Sequence, residues 1–201
     1  MGLSGRRGLV CALAIASLLG ARGGSASVSI AVPLDDLVRD SQAAAIVTPV
    51  SQTSMWQDGR IFTYTEAHVD TRVAGSGLDD EVWVRTLGGE VGHVGQQVEG
   101  EAVLTVGRPS LLFLRAAHVL DGTTEPVAEP GAYSVTDRGQ GQFPVVLDAA
   151  GNLRVRKSAS AGALMAPRAP SGRMAADVLH GLEVSAATSA VGQAWKRVHG
   201  T

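Results

Sequence analysis

From Ile61 to Val73 apolar and polar side chains alternate for thirteen residues, the period-two signature of a half-buried strand. Asp58-Gly59 precedes the run and is a hairpin-turn dipeptide. One face carries Ile61, Thr63, Thr65, Ala67, Val69, Thr71 and Val73, and is expected in the core. The other carries Phe62, Tyr64, Glu66, His68, Asp70 and Arg72, and is expected to be largely wet. A second alternating strand follows at Glu81 to Leu87, with Val82 and Val84 on one side and Trp83 and Arg85 on the other, ended by Gly88-Gly89. Gly89 to Gly100 is a glycine-rich polar loop with room for a short turn of strand around Val91 to Val94. Ala102 to Val106 is expected as a strand, and Ser110-Leu-Leu-Phe-Leu-Arg115 is uninterrupted enough to be covered on both faces, hence central. After a loop at Gly122 to Gly131, strands at Ala132 to Thr136, Gln142 to Leu147 and Leu153 to Arg156 close the series.

Helical spacing marks the two flanks. Leu34, Leu37 and Val38 recur at helical intervals behind Pro33, and Asp35 and Asp36 stand where a helix N-terminus favours anions. This short helix runs into Ala43 to Val50, a buried first strand. At the other end Met174, Ala175, Val178, Leu179 and Leu182 form one stripe with Ser171 available as a cap, and Ala186, Ala190, Ala194 and Val198 continue it. Gly181 and Gly192 leave open whether this is one helix or a broken pair. Between barrel and helix, Ser158 to Arg173 holds almost only Ala, Ser, Gly, Pro, Met and Arg, the composition of a linker or mobile loop. The resulting fold class is mainly β: a small closed or partly open antiparallel, OB-like barrel with a short N-terminal helix and a C-terminal helix.

The first 26 residues change the picture by giving an address. Arg6-Arg7, the apolar stretch Gly8 to Gly20 and the small residues Ala21 to Ser27 have the layout of a signal peptide, with cleavage expected after Ala26. Arg6-Arg7-Gly8-Leu9-Val10 also fits a loose twin-arginine pattern. The expected organisation is 1–26 signal peptide, 27–157 barrel, 158–173 linker or loop and 174–199 C-terminal helical segment, with the product periplasmic or extracellular. Processing removes Cys11, the chain's single cysteine, so the exported domain must be held by its core rather than by disulfides. It also removes three arginines and no acidic residue, taking the formal charge from −2 to −5. That balance, without a basic run, speaks against nucleic acid and anionic lipid as partners.

The succession Leu34-Asp-Asp-Leu-Val-Arg-Asp-Ser41, Phe62-Thr-Tyr-Thr65, Val82-Trp-Val84, Gly88-Gly89 and Leu111-Leu-Phe-Leu114 resembles a set of exported bacterial proteins. Their core is similar to the OB-like barrel of tissue inhibitors of metalloproteinases and netrin modules. The resemblance spans residues 34 to 156. In those inhibitors an N-terminal cysteine offers its amine and carbonyl to the target's zinc; this chain has no cysteine after processing, so that mechanism is not carried over.

Catalytic signatures are sparse. His68 lies on a strand face whose neighbours are roughly 6.7 Å apart, so three of them do not converge on one ion. His93, within Gly89-Glu-Val-Gly-His93-Val-Gly95, sits where glycines admit a ligand close to the backbone. His118 and His199 read as loop and tail residues, His180 lies on the C-terminal helix, and no His-x-x-x-His spacing occurs. There is no Gly-x-Ser-x-Gly elbow and no phosphate-binding loop with its lysine. Asp35-Asp36 and Asp79-Asp80-Glu81 begin elements, where helix and turn chemistry accounts for them. No catalytic residue, cofactor or metal site is therefore expected. Trp56, Phe62, Tyr64 and Trp83 come together if the Ile61 and Glu81 strands pair, forming an aromatic binding patch or, as the favoured reading, a bed for the C-terminal helix. Trp83, Tyr64 and His93 are the candidate partner-binding residues. The expected function is an exported, non-enzymatic binding protein that engages a macromolecule such as a secreted protease or an envelope component. The alternatives are a hydrolase or metal-dependent enzyme using the His93 loop, and a structural envelope protein.

Overall fold

The computed structural model describes residues 28–117, 129, 131–168 and 171–200. The expected signal peptide and His118 lie outside them. In chain order the elements are β1 (Val28–Ile30), α1 (Leu34–Arg39), β2 (Ala43–Gln57), β3 (Arg60–Gly75), β4 (Glu81–Leu87), β5 (Gly89–Val91), β6 (Val94–Gln96), β7 (Ser110–Ala116), β8 (Tyr133–Val135), β9 (Gln142–Leu147), β10 (Leu153–Val155), β11 (Ala163–Met165), α2 (Ala175–Leu179) and α3 (Val184–His199). Strands β7, β2, β3, β4 and β8 lie side by side in that order, and β8 returns to β7, closing a five-stranded barrel. All its pairings are antiparallel except β4 with β8, which is parallel over two residues. One edge of β7 is shared: β9 pairs with Ser110 to Leu112 and β8 with Leu114 to Ala116, so β9 and β10 continue the sheet outside the barrel.

The continuous apolar strands are those covered twice, as expected. From β7, Leu112 and Leu114 point into the barrel with Ala43, Ala45, Val47, Val69, Val82 and Val84, while Leu111 and Phe113 point out with Ala44 and Ile46. The outer layer is closed by Leu34, Leu37 and Val38 of α1, Ala175 and Leu179 of α2, and Ala187, Val191 and Ala194 of α3. Phe113 meets Phe143 edge to face at 6.2 Å. Each fully buried Leu or Phe contributes roughly 1.5–3 kcal/mol, so this layer makes the C-terminal segment part of the core. The segment is two helices, divided at Gly181, and the buried stripe of α3 runs through Ala187 rather than the expected Ala186, which is exposed. Ser171 is not its cap: Met174 holds that position, and the Ser171 hydroxyl donates to Asp36.

Four further expectations are corrected. First, β2 does not stop at Val50 but runs to Gln57. Its register slips between Pro49 and Ser51, where proline has no N–H for the ladder, and it then turns through Asp58 and Gly59, both left-handed, into β3. Second, Ala102 to Val106 joins no ladder, and Val106 already stands in a turn. Its fastening is a side chain: the Gln142 amide accepts from Val103 N–H at 3.0 Å and donates to Val103 C=O at 2.6 Å, as a neighbouring strand would. Third, the face of β3 expected to be wet is buried at Phe62 and Tyr64 and wet only from His68 onward, because β4 and Ala132 cover its first half. Fourth, residues 158–165 are tied down rather than free. Here β11 pairs in parallel with β1, Ser158 and Ala161 are buried, and the Gln140 amide bonds both Ile30 C=O and Val32 N–H.

Candidate functional site

Beyond Pro49 the β2–β3 hairpin carries small polar side chains on the face that continues the barrel interior. Cross-strand register sets Gln52 opposite Thr65 and Ser54 opposite Thr63, and on the next strand Thr86 opposite Thr63. These groups are interlocked. The Ser54 and Thr63 hydroxyls are 2.8 Å apart, Thr63 donates to Gly88 C=O at 2.7 Å, and the Gln52 amide donates to the Thr65 hydroxyl at 3.0 Å and to Leu104 C=O at 2.9 Å. The β5–β6 hairpin is seated on the Ser54–Thr63 pair through Gly89. A Cβ there would lie 2.3 Å from Thr63 Oγ1 and 2.5 Å from Ser54 Oγ, and its φ of +135° is one that side-chain-bearing residues rarely adopt. The glycines after β4 therefore do more than end a strand; they let the hairpin lie against the sheet.

Hairpin, sheet and residues 97–104, which turn at Glu99-Gly100, enclose a cleft of about 700 Å³, within the range of about 300–1,000 Å³ typical of ligand pockets. Its charged lining residues are Glu90, Glu99 and Glu101, without a lysine, arginine or histidine. Glu101 is only 9% exposed. One carboxylate oxygen accepts from Ala102 N–H at 3.2 Å, and the other stands 3.8 Å from Arg138 Nε, beyond hydrogen-bond range. Burial pushes its carboxyl above the ordinary glutamate range, outweighing the N–H groups of Ala102 and Leu87 and the charges of Arg138 and Arg115, which act the other way. Arg138 belongs to a 3₁₀ turn, Arg138–Gly141, entered through Asp137. Asp137 and Arg138 have φ of +50° and +55°, consecutive left-handed residues that carry side chains. Such conformations cost of order 1–3 kcal/mol each and collect at functional sites. The turn is held by Gly139 N–H donating to Gly100 C=O at 2.9 Å, beside Glu101. Asp137 is also raised, by burial and then by the negative charge of Asp40.

The residues singled out from sequence are distributed differently. Tyr64 is buried, donates its hydroxyl to Gln57 Oε1 at 3.1 Å, and packs with Phe62, Met55 and a half-buried Trp83. The Arg85 guanidinium lies over the Phe62 ring at 3.7 Å and donates to the same Gln57 oxygen. This aromatic cluster is separate from the layer under α3, so it is not the bed of the C-terminal helix, and Trp56 stands half-exposed at the hairpin end. His93 is exposed at the tip of the β5–β6 hairpin and does not line the cleft. His68 stays on the wet stripe, His180 Nδ1 accepts from Lys157 N–H, and His199 stacks on Trp195 at 4.5 Å. Among the described residues no three His, Cys, Asp or Glu side chains are placed to hold a metal ion. Sequence reading missed Glu101, Gln52, Ser54 and the Asp137–Arg138 turn. Only the density of glycine from Gly88 to Gly100 pointed there.

Compared with protein-family models, curated proteins and solved structures, the chain matches none of them. No helix among the described residues is long and apolar enough to cross a membrane.

Proposed function

We propose that this protein is an exported, non-catalytic binding module whose recognition surface is the cleft between the β5–β6 hairpin and residues 97–104. The observation that carries the reading is the construction of that cleft. Hydroxyls and amides fixed by cross-strand bonds form its floor, the glycine-rich β5–β6 hairpin forms one wall, and a buried carboxylate lines it. Such groups are oriented before a ligand arrives, which lowers the ordering cost of binding. The signal-peptide layout of residues 1–26 supports the exported location. Site-specific photo-crosslinking in the producing cells tests the reading, with p-benzoylphenylalanine at Gln97 in the cleft and at the exposed Ser189 of α3. A partner captured through position 97 and not through 189 is the expected result; capture through 189 alone overturns it.

One observation favours a second reading. Burial and raised proton affinity in a cleft are the properties of a general acid, and Glu101 has them. Turnover of a chromogenic glycoside, ester or peptide that disappears in Glu101→Gln would establish it.

A further inference from the structure

We propose that the cleft receives a lysine or arginine side chain of an extended polypeptide, with its cationic head against Glu101. This rests on the binding-module reading and names the chemistry of the partner.

Charge gives the first argument. Glu90, Glu99 and Glu101 line the cleft and no basic side chain does, so the low-dielectric walls concentrate a negative potential inside it. Glu101 decides between a diffuse acidic rim and a seat for one cation. It is nine-tenths buried, and its nearest cation is the guanidinium of Arg138, 3.8 Å away on a side chain that is 59% exposed. An ion pair of that length with a solvated partner contributes little, whereas a carboxylate offers about four acceptor positions. The backbone N–H groups of Ala102 and Leu87 also favour the carboxylate, and with Arg138 they leave part of the cost of burying it uncompensated. An ammonium or guanidinium entering from the cleft makes a charge-assisted bond of the strong class. The left-handed pair Asp137–Arg138, locked to Gly100, holds the neighbouring backbone in place at a cost in strain.

The walls favour a polypeptide over a free polyamine. On the hairpin side Gly95 has no side chain and open space where a Cβ would stand, so an extended backbone can lie close to it. Val98 and the exposed Val103 also line the cleft and offer apolar contact to residues flanking the cation. A polyamine has no use for either feature.

Panning a random heptapeptide display library on the protein purified after expression of the full chain tests the proposal. The expected result is enrichment of Lys and Arg over input, at least about tenfold weaker on Glu101→Gln and changed less than about threefold on Glu90→Gln or Glu99→Gln. A thermal melt of each variant establishes that it is folded, and amide shifts at Gly88, Gly89 and Gly95 with a selected peptide place the contact. The proposal falls if neither residue is enriched, if Glu101→Gln retains the preference, if the two rim variants lose it equally, or if spermidine displaces the peptide at equal concentration. Enrichment of neutral or acidic peptides at the same glycines, or capture through position 97 without a basic preference, overturns this inference while leaving the binding module standing.

Discussion

On the side of β2 and β7 that faces the helices, Ala44, Ile46, Leu111 and Phe113 pack against Leu37, Val191 and Ala194, all buried and all apolar. A few residues further along, the same β2 carries Gln52 and Ser54 into the cleft, where the contacts are hydroxyls, amides and a carboxylate at 2.7–3.2 Å. The first region is held by area, which is non-directional and spread over many neighbours. The second is held by directional bonds that fail one at a time. A structure that concentrates its stability in one layer can keep oriented polar groups, left-handed backbone and a buried acid in the other, and those are the features recognition uses.

The largest test of this contrast is Phe113→Ala. Removing a fully buried ring that contacts Phe143 is expected to cost about 3–5 kcal/mol. The urea midpoint should fall while the folded fraction keeps its cleft amide signals; a loss below about 1 kcal/mol would mean that the helix layer is not what holds the fold. Gly89→Ala is the corresponding change at the polar end. The added methyl meets the Ser54 and Thr63 hydroxyls in a left-handed conformation, so a penalty of about 1–3 kcal/mol is expected. It should be confined to the hairpin: hydrogen exchange at Gly88, whose N–H donates to Ile61 C=O at 2.7 Å, accelerates more than global stability declines. Equal loss everywhere would erase the distinction between the regions.

The smallest effect is one of pH. Glu101 has a raised folded-state pKa, so the folded protein holds its proton more firmly than the unfolded chain. Relative stability is full below the ordinary glutamate range, near 4.5, and declines as pH rises through the raised value. Glu101→Gln removes that decline, and its melting temperature should equal or exceed that of the unmodified protein at pH 7 and converge with it in acid. Asp148 acts in the opposite sense. Held down to about 2 by Arg154 and by the N–H groups of Asn152 and Ala150, it contributes above the ordinary aspartate range and loses its contribution as pH falls toward 2. Both proteins contain Asp148 and the raised Asp137, so the difference between the two curves isolates Glu101. A melting temperature lower in the variant at pH 7 would show the carboxylate to be stabilising, against the cost assigned to its burial.

Period and punctuation fixed most of the fold. Alternation placed β3 and β4, the apolar run in β7 and the Asp58-Gly59 turn, and helical spacing behind Pro33 placed α1, because each depends on contacts between near neighbours in sequence. Composition misled where fastening came from distant side chains. Residues 102–106 read as a ladder strand, but Gln142 replaces the missing neighbour. The stretch 158–173 read as free, but β1, more than a hundred residues away in sequence and itself held by Gln140, pairs with Ala163 to Met165. Tyr64 read as wet because alternation gives two faces without saying which is covered along its length.

Most of the barrel strands, the two helical flanks and the acidic balance belong to the sequence itself, since hydrophobic period and turn chemistry are local. Closure of the barrel through β8 onto β7, the division of apolar residues between barrel and helix layer, and the gathering of Gln52, Ser54, Thr63, Gly89 and Glu101 into one cleft were decided by the tertiary structure. These residues stand up to about fifty positions apart and share no period. Only strand register and a seated hairpin bring them within bonding distance, and only the packing around Glu101 withdraws its charge from water.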